Sequence, residues 1–209
     1  FDIDLPCVET VLSKAHKDKL TVQIVTDSDN KTPEVKHFKK IGIPVVYDKR
    51  SAFMHNKFVI IDKNWVWTGS FNPTVNGARK NNNHALWLKS KKLASNYLKE
   101  FDEMFIDKQF GPRSPAKTPY PKLKVGNMRV ENYFSPEDDV KEKLQAYLKT
   151  AKKSIYFMAF SFTDKSIGKI LKSKSKEGVK VSGIFEKMGA RSKYSQYNTL
   201  KRAKLDVKM

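Results

Sequence analysis

A histidine and a lysine stand two apart in FMHNKFVIIDKNWVWTGSFNPT, residues 53–74. An extended strand sends residues i and i+2 to the same face. His55 and Lys57 therefore set an imidazole beside an ammonium, an arrangement suited to an anionic group. Asp62, Gly69, Ser70 and Asn72 follow at fixed distances, giving the pattern H-x-K-x4-D-x6-G-S-x-N. Chance rarely produces such a match at every named position.

This pattern resembles the HKD motif of the phospholipase D superfamily. The run KMGARSKYSQYNTLKRA, residues 187–203, resembles the segment before the second motif in tandem bacterial members, so the likeness spans nearly the whole chain. It implies an α/β fold, a phospholipase D-like α-β-α sandwich with a mixed sheet and two pseudo-repeated halves, both incomplete in this chain. It also implies a phosphodiesterase that works without metal or other cofactor. In the family, one motif's histidine attacks phosphorus to give a phosphohistidine, and the other's protonates the leaving oxygen.

On that template His55, Lys57 and Asp62 are the catalytic set. A neutral imidazole is a competent nucleophile near pH 7, its unperturbed pKa being about 6.5. Lys57 would neutralise the non-bridging phosphate oxygens as charge builds. Ser70 and Asn72 add hydrogen-bond donors, and Gly69 lets the backbone pass close to the phosphate. Asp62 lies an odd number of residues past His55, on the opposite face of a regular strand. It is expected to orient a histidine or hold the hairpin rather than touch phosphate. Nuclease-like members often carry glutamate where Asn83 stands. Asn83 can accept a hydrogen bond from a ring N–H but brings no charge to an imidazolium.

The elements that must position these residues alternate along the chain. Periodicity predicts helices over 6–19, 33–41 and 90–106, and strands over 20–26, 43–47, 57–62, 65–68 and 84–88. DKN reads as a hairpin turn between two of these strands. Trp65 and Trp67 are expected to pack core, and His84 to hydrogen-bond at a strand start. QFGPRSPAKTPYPKLKVGN, dense in proline, reads as an extended linker. Residues 1–108 are then the later part of one repeat, 109–127 the linker, and 128–209 the early part of a second. In that second part, 137–152, 164–177 and 191–203 read as helices, SIYFMAFSF and 178–185 as strands.

Sliding the chain by 159 residues places Leu12 on Leu171, Lys17 on Lys176, Val22 on Val181 and Asp27 on Glu186. A further shift of about three residues pairs FKKIGIPVVY with LKRAKLDVKM. In this register the counterpart of His55 falls past Met209. The second half of the site is expected from a segment beyond this chain or from a homodimer mate, with the 209 residues alone catalytically incomplete.

Composition bounds the partners. There are 41 Lys and Arg against 22 Asp and Glu, a formal charge of +19, which suits a polyanion. Nucleic acid is the leading expectation, supported by TGSFNPT, which resembles nuclease-like bacterial members. Anionic phospholipid is the alternative, although no amphipathic apolar stretch stands out for docking on a bilayer. A non-catalytic nucleic-acid-binding module is the third reading. One cysteine excludes an intramolecular disulfide. His16, His37, His55 and His84 are dispersed without metal-ligand spacing, and DSDN, residues 27–30, departs from a calcium loop at Lys31 and Thr32. The chain opens on Phe1, so the compartment stays open, an extracytoplasmic bacterial one included.

Overall fold

The computed structural model describes residues 1–115 and 117–209. They form two compact units, Phe1–Asp138 and Asp139–Met209.

The first unit opens with helix α1 (Pro6–Lys17), started by a proline whose missing N–H costs nothing there. Strand β1 (Ile24–Thr26), helix α2 (Pro33–Lys40) and strand β2 (Val45–Tyr47) follow. Thr32 caps α2 by accepting the Val35 N–H. β1 and β2 pair in parallel, Ile24 opposite Val45. Ile24, Phe38 and Ile43 form the core beneath them.

Strands β3 (Phe58–Ile61), β4 (Trp65–Gly69) and β5 (Ala85–Lys89) make an antiparallel sheet, with the short helix α3 (Val75–Arg79) between β4 and β5. The β3–β4 turn is DKN as expected, with Asp62 and Lys63 at φ 52° and 50°. One sheet face, with Phe58, Ile60, Val66 and Leu88, packs on Leu93, Ala94 and Tyr97 of helix α4 (Lys91–Phe105). That face leaves Val66 fully buried. Trp65 and Trp67 point the other way, only partly covered, and Trp65 stacks on Trp87 at 5.3 Å. The expectation that these tryptophans fill the core is corrected: α4 lies on the Val66 side.

The proline-dense stretch is also corrected. It leads into β6 (Lys122–Val125), which pairs with β7 (Met128–Glu131) in an antiparallel hairpin. Leu123, Val125, Val130 and Phe134 close the α4 core. Buried Asn96 anchors the stretch: its side chain accepts the Tyr120 N–H at 2.8 Å and donates to the Tyr120 carbonyl and to Asn132, each at 2.9 Å. Residues 109–115 and 117–127 thus belong to the first unit, as do 128–138. Residue 116 of the expected linker lies outside the described residues.

The second unit comprises α5 (Val140–Thr150), β8 (Ser154–Ala159), α6 (Lys165–Lys176), β9 (Lys180–Phe185), α7 (Lys187–Arg191), α8 (Tyr197–Arg202) and β10 (Asp206–Lys208). Its sheet is parallel, in the order β10–β9–β8. Leu171, Val181, Phe185, Leu200 and Val207 form its core. Parallel and antiparallel pairings together make the fold α/β with mixed strand directions, as expected.

The two units build the same passage. α1 and α6 each span 12 residues, and they begin 159 residues apart. Beyond them the Leu20 N–H donates to the Ala15 carbonyl, and the Val179 N–H to the Lys174 carbonyl, both at 3.0 Å. Between each pair lies one residue of positive φ, Lys19 or Gly178. Ile24 pairs with Val45 in one unit and Gly183 with Val207 in the other. The turns before β2 and β10 match as well, Ile43 N–H to Phe38 carbonyl and Leu205 N–H to Leu200 carbonyl.

Candidate functional site

The candidate residues named above lie in the first unit, the His55–Lys57 pair where β1 and β2 end and β3 begins. Ligand-handling residues gather at the carboxyl ends of parallel strands because the loops there converge. Asp27 and Asp48 come immediately after β1 and β2, 1% and 4% exposed. The Asp27 carboxylate accepts the Asp29 N–H at 2.9 Å and the Met54 N–H at 2.8 Å. Asp48 accepts the Ser28 N–H at 2.9 Å. Thr26 and Asn30 both donate to the Phe1 carbonyl, which draws residue 1 into the site.

Met54 is buried against Met104 and Phe110, and the next residue, His55, emerges to the surface. The His55 ring lies 4.8 Å from the Phe1 ring, edge to face. The Lys57 ammonium sits 4.8 Å from the same ring and donates to the His55 carbonyl at 2.6 Å. The structure therefore brings His55 and Lys57 to one side, as strand parity requires, although β3 itself starts one residue later. Asn56, between them, turns the other way and donates to Glu100 on α4 at 3.0 Å.

Electrostatics tune both groups. Burial, then Lys57 and the chain's amino group, lower the His55 pKa, with Asp27 acting in the opposite sense. Burial lowers Lys57 to about 8, partly offset by Asp2. At neutral pH the imidazole is thus neutral while most of the ammonium keeps its charge.

Gly69 ends β4 opposite Ala85, and a Cβ there would stand 2.3 Å from the His84 carbonyl oxygen. Only glycine permits this closeness. Thr68, just before it, donates to the Lys57 carbonyl at 3.2 Å, so the Gly69–Ser70 corner meets the His55–Lys57 segment at the same end of the hairpin. The Ser70 hydroxyl donates to Asn83 Oδ1 at 3.0 Å, accepts the His84 N–H at 3.1 Å and lies 3.3 Å from His84 Nδ1. Asn83 donates in turn to the Gly77 carbonyl at 3.2 Å. The expected bond from a His55 ring N–H to Asn83 is absent among the described residues; Ser70 occupies its acceptor. His84 hydrogen-bonds at the start of β5, as expected.

Asn72 lies just beyond this corner, its Oδ1 buried without a hydrogen-bond partner among the described residues. Asp62 sits exposed in the β3–β4 turn, at the opposite end of β3 from His55. Of the two supports expected from it, its place fits holding the hairpin. Among the described residues no group of three or more His, Cys, Asp or Glu is placed to hold a metal ion.

Sequence reasoning missed Asp27, Asn56, Glu100 and Phe1. An aspartate directly after the strand expected over 20–26 was the available signal for Asp27, within the DSDN run rejected as a calcium loop. Nothing local marked the others.

A profile of the family described as "Cardiolipin synthase, PLD-like domain" matches residues 6–105 and 144–209. The mitochondrial cardiolipin hydrolase of Chlamydomonas reinhardtii is 32% identical over 108 residues, 50% of this chain and 48% of that protein. A phospholipase D of Rickettsia prowazekii (strain Madrid E) is 33% identical over 97 residues, 45% of this chain and 47% of that protein. The chain spans about half the length of the curated relatives it matches. The crystal structure of polyphosphate kinase from Porphyromonas gingivalis resembles 85% of this chain and 30% of its own, with a TM-score of 0.55 at 12% identity, a likeness of fold alone.

Proposed function

The chain belongs to the phospholipase D-like family, and from that premise we propose that it is a phosphodiesterase acting on nucleic acid, with His55 as nucleophile. The observation that carries the reading is the Lys57 ammonium beside His55, its Nζ on the His55 carbonyl at 2.6 Å. The neutral imidazole attacks phosphorus, forming a P–N bond as the P–O bond to the leaving alcohol breaks. Lys57 balances the charge on the non-bridging oxygens. A second group gives the leaving oxygen its proton, since an alkoxide leaves poorly. Water then breaks the P–N bond and restores His55.

That second group is assigned to another H-x-K motif, on the same protein or on a second copy. The matching passages of the two units support this reading, because in the first unit such a passage leads directly to His55. Ser70, Asn72 and Asn83 serve as support at the corner beside the pair, Asp62 holds the far turn of the hairpin, and Gly69 allows the close corner.

The +19 charge favours a phosphate backbone as substrate. A lipid phosphodiester is the second reading, favoured by the names of the matched relatives, a cardiolipin hydrolase and a phospholipase D. Binding and cleavage of DNA, RNA and anionic liposomes, compared across salt concentrations, decide between them. Counterion release predicts a DNA affinity falling by about 0.9 log units per log salt for each phosphate neutralised. A flat salt response, or preference for liposomes at equal salt, would overturn the nucleic-acid assignment.

A further inference from the structure

Two buried carboxylates grip the chain on either side of His55, and we propose that Asp27 and Glu100 are positioning residues that aim its imidazole. The inference rests on the catalytic reading of His55 given above. Asp27 holds the residue before it, accepting the Met54 N–H at 2.8 Å. Its other oxygen accepts the Asp29 N–H, which fixes the carboxylate's own orientation. Glu100 holds the residue after it, accepting from the Asn56 side chain at 3.0 Å.

The two grips come from different elements, the end of β1 and the middle of α4. A single tether would leave the segment free to turn about it; tethers on both flanking residues remove that freedom. His55 is exposed apart from the edge-to-face contact with the Phe1 ring, so its backbone neighbours supply much of the order its own packing does not. Burying a carboxylate is costly without hydrogen bonds, yet Asp27 and Glu100 are 1% and 7% exposed.

Glu100 solves its burial differently from Asp27. Burial and the adjacent Glu137 raise its pKa to about 8, so at neutral pH it holds a proton. Among the described residues the buried Glu137 carboxylate finds no side-chain donor other than Glu100. Protonated Glu100 thus donates to Glu137 while its second oxygen accepts from Asn56. Around His55 the titratable groups are Lys57, the amino group of Phe1 and Asp27, of which Asp27 alone raises the ring's pKa.

The test uses the 209-residue chain, with NMR on His55 and on the Met54 and Asn56 amides alongside turnover of a nitrophenyl phosphodiester, whose leaving group needs no proton from the second motif. Asp27→Asn is expected to speed Met54 amide exchange about tenfold or more, and to lower the His55 ring pKa, since Asp27 acts to raise it. Glu100→Leu is expected to lower kcat about ten- to a hundredfold with little change in KM. Glu100→Gln, which keeps an acceptor for Asn56 and a donor for Glu137, should recover most of that loss. Folded Asp27→Asn and Glu100→Leu proteins with unchanged exchange, ring pKa and kcat would overturn the proposal. Should Asp27→Asn fail to fold, the Leu and Gln pair at Glu100 decides alone, and equal kcat in both overturns it. The NMR changes in a chain that fails to turn over the nitrophenyl diester would sustain the grip and overturn the catalytic reading alone.

Discussion

The Lys57 ammonium donates to the carbonyl of His55 at 2.6 Å, and both side chains lie against the ring of Phe1. A cation and a neutral base are thereby held together at the surface with their pKa values both depressed. Most of the expected chemistry follows from that pair.

The first prediction concerns pH. His55 must be deprotonated to attack, and its pKa lies below 6.5; Lys57 must be protonated to neutralise phosphate, and its pKa is about 8. Plotted against pH, kcat/KM should rise through the acid limb below 6.5 and fall as pH passes about 8. Lys57→Arg should remove the alkaline limb from whatever activity remains, because a guanidinium stays charged there. An alkaline limb unchanged in Lys57→Arg would separate Lys57 from that ionisation.

A second prediction concerns stability. The folded state raises the Glu100 pKa from 4.5 to about 8, so the native protein holds a proton that the unfolded chain has lost between those values. Its contribution is intact below pH 4.5 and is lost as pH rises through about 8. Glu100→Gln, which never ionises, should be more stable than wild type at pH 9, by on the order of 3–5 kcal/mol at most. The difference should shrink toward acid pH in urea titrations. A constant difference across pH would show that Glu100 is not the group responsible.

Which parts of this were legible in the sequence follows from range. The motif His55–Asn72 spans one hairpin and its corner, so local spacing revealed it. The repeat was legible because helix and strand periods are local, and the matching turn bonds carry the offset of 159 and then its shift of three. The grips on His55 were not, since Asp27 and Glu100 reach it across 27 and 44 residues. Proline density suggested an extended linker, but Asn96 anchors that segment to α4 by contacts no local rule contains. Parity correctly placed Trp65 and Trp67 together; which face α4 would cover was a tertiary choice, and it chose Val66.

At Gly69 the third prediction is steric. A methyl group would press on the His84 carbonyl at 2.3 Å, from a glycine at φ 155°. Gly69→Ala should cost about 1–3 kcal/mol and disturb the Ser70–Asn83–His84 corner. Thermal unfolding measures the cost. A wild-type melting temperature would mean that β5 yields without penalty.

The central claim is that His55 forms a covalent bond to phosphorus. The measurement is rapid acid-free quenching during turnover of a nitrophenyl phosphodiester, followed by mass spectrometry of the peptide bearing residue 55. A nitrophenolate leaves without a proton, which isolates the nucleophilic step from the second group. The account predicts a phosphoryl adduct on His55, absent in a folded His55→Ala protein that also loses turnover. Wild-type turnover in His55→Ala, or an adduct on another residue, would contradict it.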